Sequence, residues 1–486
     1  MRLSSIALYL GLLSHVFAWQ MPDDYPISPS GNGRHFVTKK GDPFFWQADT
    51  GWLLFHRLNL TQVETYLDDR ASKGFNIVLA VGLTQLGDED PNRNGDLPLL
   101  NGDPTKPNEP YWEYIDTVVQ MAWGKGIRIA MVPAWGYYVH VSNNVAGSIN
   151  ASNAKDFGNW IGKRYPGLPK LLVADTNPYW TNKTAVSSDY TSGGVHSPYS
   201  FTDYIPVYDE MAAGLIEGEG ANAQITTHST NQWFEGGPIA LASAFFGNKQ
   251  WLTFDSSQSG HSNYAPNAPI PWWNAAKGYE PVELMYATKP ARPALDNEAH
   301  YENRYINGKP INPYWNASDV RTGSYQAVFS GAAGLTYGAD NVMQFYIPGL
   351  FTPAGSGPAI SWATDIHLPG SSQMQYIKKV ILDRSASPLN RIPDQSIIVG
   401  DTGTDGTHLV ATRDVDGKWL AVYTPTGAAF TIDTGKLQTG KKITASWFDP
   451  LDGSYARCVW NGEGKSVFTP PTNGTHVDWV LVLEVQ

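Results

Sequence analysis

From about residue 44 onward, short apolar runs alternate with stretches in which apolar residues recur every three or four positions, the order expected of parallel βα units. Residues 44–49 predict a first strand. Thr61-x-x-Glu64 then reads as a capping box, opening a helix whose stripe of Val63, Tyr66, Leu67 and Ala71 ends at Gly74. Further strands are predicted at 76–83, 128–135, 170–175, 224–230, 251–255, 291–298 and 334–337, and helices at 151–165, 202–217, 318–330 and 371–384. Another helix carries Ile115, Val118, Val119 and Ala122. Eight strands in this order predict an α/β fold, a (β/α)8 TIM barrel, whose chemistry gathers at the C-terminal ends of its strands. The pattern is weakest after strands five and six, where Pro238, Pro266, Pro269 and Pro271 interrupt it.

From about Ser396 the period changes to two. Runs at 409–411, 419–423, 443–447 and 480–485 are separated by Asp/Gly turns, which predicts a small all-β sandwich. The N-terminus has Arg2, an apolar stretch from residue 6 to 13 and Val16-Phe17-Ala18, the order of a secretory signal peptide. The predicted division is therefore signal peptide 1–18, barrel 19–393 and β-sandwich 394–486, with a secreted mature chain that does not span a membrane.

Composition narrows the function. With 34 Lys+Arg against 45 Asp+Glu, the net charge of −11 argues against a nucleic-acid partner. Cys458 is the only cysteine, so no intramolecular disulfide can form, and its alternating surroundings predict a buried strand position. Eighteen Trp and 25 Tyr supply flat rings with polar handles, suited to sugars as well as to a core. Asn59, Asn150, Asn182, Asn316 and Asn473 open sequons that permit glycosylation, in about the number chance allows. No sequence feature bears on oligomeric state.

Complete serine-hydrolase, zincin, Cys-x-x-Cys and dinucleotide motifs are absent, and the scattered histidines show no metal-ligand spacing. No metal or organic cofactor is expected. Barrel geometry directs attention to the polar residues ending the strands: Asp49, Gln85, Trp135, Asp175 with Asn177, His228, Asp255 with Gln258 and His261, Glu298, and Tyr337. Asp175 and Glu298 follow apolar runs. A carboxyl group partly desolvated there has a raised pKa while a second stays ionised, the division of labour that glycoside hydrolysis requires. The competing reading is that each carboxylate caps a loop or pairs with Arg292 or Arg304. Asp296, Glu302 and Asp255 are rivals that spacing alone does not exclude.

Five segments, taken in order, resemble the apiosidase-like proteins, glycoside hydrolase family 140. They are 43–52, 66–76, Asp175-Thr176-Asn177-Pro178, Gln258-Ser259-Gly260-His261 and 295–302, within a similarity covering most of residues 30 to 390. The resemblance implies a clan A type barrel with a C-terminal β domain. It also implies an acid/base after strand four, matching Asp175, and a nucleophile after strand seven, matching Glu298. The sequence departs from the family at Val173-Ala174, where Gly-Gly is common, and at Met343, where an aromatic is common. The expectation is a retaining glycosidase acting on cell-wall poly- or oligosaccharide. Asp49, Asn177, His228, Gln258 and His261 would bond hydroxyls, and Trp135 and Tyr337 would present ring faces. Alternatives are an arabinofuranosidase, galactofuranosidase or endoglucanase on the same barrel, or a carbohydrate-binding protein without catalysis.

Overall fold

The computed structural model describes residues 19–84, 91–141, 145–181, 201–230, 241–263, 274–384, 386–460, 462 and 464–486. The predicted signal peptide, Gln85, Asn182 and the four interrupting prolines lie outside the described residues. Eight strands line the barrel: β1 (Trp46–Thr50), β2 (Ile77–Leu83), β3 (Arg128–Trp135), β4 (Lys170–Ala174), β5 (Ile225–His228), β6 (Asp255–Ser257), β7 (Ala294–Asp296) and β8 (Gly334–Tyr337). One parallel sheet runs β5-β4-β3-β2-β1-β8 and a second pairs β6 with β7. Backbone hydrogen bonds of 2.9 Å, Thr253 N–H to Ile225 O and Ala333 N–H to Ala294 O, join the two into a ring.

The outer layer comprises α1 (Leu60–Ser72), α2 (Glu109–Gly124), α3 (Ala154–Arg164), α4 (Ile205–Glu219), α5 (Ala242–Phe246), α6 (Tyr279–Ala287), α7 (Ala317–Phe329) and α8 (Pro369–Leu382). Where the pattern was weakest, after β5, the helix is only a single short turn-and-a-half, α5. The first helix begins earlier than Thr61. Asn59 accepts from Gln62 N–H at 2.9 Å and Gln62 Oε1 accepts from Asn59 N–H at 3.1 Å, so the capping box is Asn59 with Gln62 and Thr61 lies inside the helix.

Inside the ring, Trp46, Ala48, Ile77, Leu79, Ala130, Val132, Leu171 and Leu295 form one apolar cluster. A small N-terminal antiparallel sheet plugs its base, with Phe36 against Trp46 and Phe254 at ring distances of 5.6 Å. The alternate residues, such as Val78, Ala80, Ile129 and Leu335, face the helices. Behind the strands that end in Asp175 and His228, α3 and α4 approach through glycines. A Cβ at Gly214 would stand 2.1 Å from Lys155 O, and one at Gly158 2.2 Å from Met211 O. Gly214→Ala is therefore expected to lower stability by about 1–3 kcal/mol in urea unfolding, since both helices must part. Gly124→Ala, at an open position on α2, should be neutral or stabilising by up to about 1 kcal/mol.

The C-terminal domain is an antiparallel sandwich. Its strands are β9 (Arg391–Pro393), β10 (Ile398–Val399), β11 (Val410–Asp414), β12 (Trp419–Thr424), β13 (Phe430–Asp433), β14 (Ile443–Phe448), β15 (Tyr455–Arg457), β16 (Lys465–Phe468) and β17 (Trp479–Val485). A six-stranded sheet, β9-β11-β12-β17-β14-β15, faces a three-stranded one, β10-β13-β16. Leu420, Val422, Ile432, Trp447 and Leu481 fill the space between them. The outer face of the larger sheet packs on α7, with Tyr325 and Tyr423 stacked at 4.6 Å and Arg321 paired to Asp478 at 2.6 Å. Cys458 corrects its expectation: it is half-buried, just past β15. Among the described residues no helix is long and apolar enough to cross a membrane.

Candidate active site

Five of the predicted site residues converge above the barrel. His228 ends β5, Asp175 and Gln258 follow β4 and β6, and Glu298 and His261 lie on the loops after β7 and β6. Asp175 adopts φ 54°, a left-handed conformation uncommon outside glycine and kept here by the surrounding loop. One carboxylate oxygen of Asp175, one of Glu298 and a ring nitrogen of His228 lie within 4.8 Å of one another. That trio is also a ligand set a divalent cation accepts.

Glu298 is held from several sides. His261 Nδ1 accepts the Tyr301 N–H at 3.3 Å, so its proton sits on Nε2, which donates to Glu298 Oε1 at 2.8 Å. His228 Nε2 stands 3.5 Å from Glu298 Oε2, outside hydrogen-bond geometry. Gln258 Nε2 donates to Asp175 Oδ1 at 3.3 Å, and the same amide steadies Glu298. Beneath them, the Trp52 indole donates to the Tyr301 hydroxyl at 3.0 Å and meets the rings of His228 and Trp135 edge-on at 5.1 and 5.9 Å.

The two carboxyl groups are pushed in opposite directions. Burial of the Asp175 carboxyl, then the charge of Glu298, raise its pKa to about 7, against the Gln258 bond and the Arg304 charge. Asp175 keeps solvent access at the cleft, which tempers the first cause; the Glu298 charge keeps the direction upward. Burial alone would raise Glu298, but the His261 bond, the charge the two imidazoles acquire in acid, and the Gln258 bond outweigh it and hold the group low, at about 2. Burial also lowers His261, to about 4, and His228. Near neutrality both rings are therefore uncharged, and His261 acts on Glu298 as a hydrogen-bond donor.

Two predicted sugar contacts are corrected. Asp49 is fully buried, bonded to Arg70 Nε and the Tyr66 hydroxyl, each at 2.6 Å. Tyr337 is 2% exposed and donates to Glu302 at 2.6 Å. The two are register partners across β1 and β8, and both face the helices. Thr50, one residue on, has the inward parity and lies beside Tyr301. Asp49→Ala should therefore leave KM unchanged and cost about 2–4 kcal/mol in urea unfolding, because buried Arg70 and Tyr66 lose their shared acceptor and Arg70 keeps only Asp69 and the Ile366 carbonyl. A raised KM with unaltered stability would return Asp49 to the sugar site.

Trp135 ends β3 at the edge of the barrel interior, and Asn177 is buried in the loop after β4. The rival carboxylates have structural work: Asp296 accepts from Ser259 N–H and Oγ at 3.0 and 2.6 Å, Glu302 from Tyr337, and Asp255 from the Ser243 and Ser256 amides at 2.9 Å. Arg304 pairs with Asp340 at 2.9 Å, and Arg292 donates to backbone carbonyls, so neither arginine forms an ion pair with the central carboxylates, although the Arg304 charge is felt at Asp175. Trp52 and Tyr301 were not singled out, although both lie inside the segments that carry the family resemblance.

Residues 30–387 match the family described as the apiosidase-like catalytic domain. Residues 392–484 match a family whose description names a collagen-binding domain of a collagenase. No curated protein matches the sequence. A crystal structure of a glycoside hydrolase family 5 protein from Bacteroides vulgatus is 27% identical, superposes with a TM-score of 0.79 and covers 94% of this chain and 93% of its own. A second structure, described as a glycoside hydrolase, is 26% identical with a TM-score of 0.80, covering 94% of this chain and 96% of its own. With its barrel matched along nearly its whole length, the chain belongs to the apiosidase-like catalytic-domain family and is a glycoside hydrolase.

Proposed function

We propose that the protein is a secreted, retaining glycosidase of family 140 type that cleaves cell-wall polysaccharide, with Asp175 as acid/base and Glu298 as nucleophile. The observation that carries this reading is the approach of the two carboxylates to within 4.8 Å with their pKa values displaced apart. Retaining enzymes hold the pair about 5–5.5 Å apart, whereas inverting ones leave about 6.5–9.5 Å for a water.

In the first step Glu298 attacks the anomeric carbon as the bond to the leaving oxygen breaks, and Asp175 gives that oxygen its proton. A glycosyl ester on Glu298 results. Asp175, now ionised, takes a proton from water as the water oxygen displaces Glu298, which returns both groups to their starting states. His261, by donating to Oε1, leaves Oε2 as the attacking atom. In this reading Gln258, His228 and Asn177 bond hydroxyls and Trp135 meets a ring face.

Specificity other than apiose is the second reading. Met343 lies in the same interior cluster as Trp52, Trp135 and Tyr301, so the departure from the family's aromatic falls at the floor of the site. An arabinofuranosidase, galactofuranosidase or endoglucanase would share the mechanism. Product analysis on a panel of plant and fungal wall polysaccharides tests both readings: the natural substrate is the one whose release falls by at least about a hundredfold in an Asp175 variant. Release unchanged by that variant on every polymer would defeat the assignment.

A further inference from the structure

Beside the catalytic cleft, a crevice of about 760 Å³ opens between the two domains. One wall is the face of α7 carrying Asp319, Thr322 and Gln326 with the loop after β7; the other is three sandwich loops around residues 405–407, 425–428 and 473–476. The volume is within the range of about 300–1,000 Å³ usual for ligand sites. No lysine or arginine is among its described lining residues, so it is not built for an anion. Most of its surface is apolar, and hydroxyl and amide groups of Thr426, Asn473 and Thr475 are set into it beside Asp319 and Asp405.

His300 forms part of the crevice's inner wall. The ring is 4% exposed, stacked on Trp315 at 4.2 Å and backed by Gly323, where a Cβ would come within 2.7 Å of it. Both ring nitrogens are enclosed, turned toward the backbones of Asp319 and Ala275, so His300 and Trp315 form a rigid inner wall. Trp315 also donates to the His261 carbonyl at 3.1 Å, so the crevice wall adjoins the loop that holds the nucleophile.

We propose that this interdomain crevice is a second glycan subsite, taking a neutral stretch of the same polysaccharide away from the bond being cut. This rests on the glycosidase reading. A glycan is favoured over a peptide because the walls are helix and loop side chains with no open strand edge for a peptide to extend.

The test uses the Glu298→Gln enzyme, which binds without turnover, titrated calorimetrically with xylan-, arabinan- and galactan-derived hexasaccharides and with gelatin peptides. Ala428→Trp and Gly406→Trp fill the crevice from exposed positions, and a Cβ at Gly406 meets nothing within 4 Å. The expected result is at least tenfold weaker hexasaccharide binding in either variant, with melting temperature and monosaccharide binding unchanged. Unchanged hexasaccharide affinity, no hexasaccharide binding, or binding of gelatin peptides instead would overturn the subsite. Turnover by the unsubstituted enzyme is scored separately: its absence on every polymer defeats the hydrolase reading, while its presence with unaltered crevice variants defeats the crevice alone.

Discussion

Replacing Glu298 with alanine is expected to leave a folded protein whose turnover falls by on the order of 10⁴–10⁶-fold. The side chain is buried, and its hydrogen bond to His261 serves to keep it ionised. Removing it deletes the atom that must bond the anomeric carbon. Azide should restore part of the rate on an activated aryl glycoside, because it enters from the face Glu298 vacates, and the glycosyl azide formed should have the inverted configuration. The same substitution at Asp296 or Glu302 should instead lower stability, since each anchors a loop through short hydrogen bonds.

Asp175→Ala should behave differently. Loss of the proton donor should cost about 10²–10⁴-fold on the natural glycan, and far less on an aryl glycoside whose leaving group needs no protonation. Here azide should yield the retained product, because Glu298 still forms the ester. The pH profile gives an independent sign. Asp175 must be protonated in the first step, so kcat/KM should fall as pH rises through its raised value, about 7, while Glu298 must be ionised, so the acid limb lies far lower. Deleting Asp175 should remove the basic limb and leave the acid one. A basic limb that persists in the variant would assign it to another group.

Much of this was legible in the sequence for physical reasons. Eight strands, and a sandwich whose period is two, left patterns that survive without a structure, because helices expose one face and loops carry their own turn residues. The central carboxylates were legible because barrel chemistry sits where strands end. Strand parity was not. All five residues of β1 are buried, so no polar alternation marks which point inward, and the strand-end position points to Asp49 although Thr50 has the inward direction. Tyr337 failed by the same register, being Asp49's partner across the sheet. Trp52 and Tyr301 were hidden because their role depends on a contact between residues far apart in the chain. The Thr61-x-x-Glu64 pattern masks the true N-cap because Asn59 and Gln62 make a capping box in residue types less usual than Thr and Glu.

The central claim is that Glu298 forms a covalent bond to the sugar. The direct measurement is mass spectrometry of peptides from the Asp175→Ala enzyme quenched during turnover of an activated 2-fluoro glycoside of the released sugar. The account predicts one added glycosyl unit on the peptide containing Glu298, at that residue. A label on Asp296, Glu302 or any other carboxylate, or no label with products of inverted configuration, would contradict it.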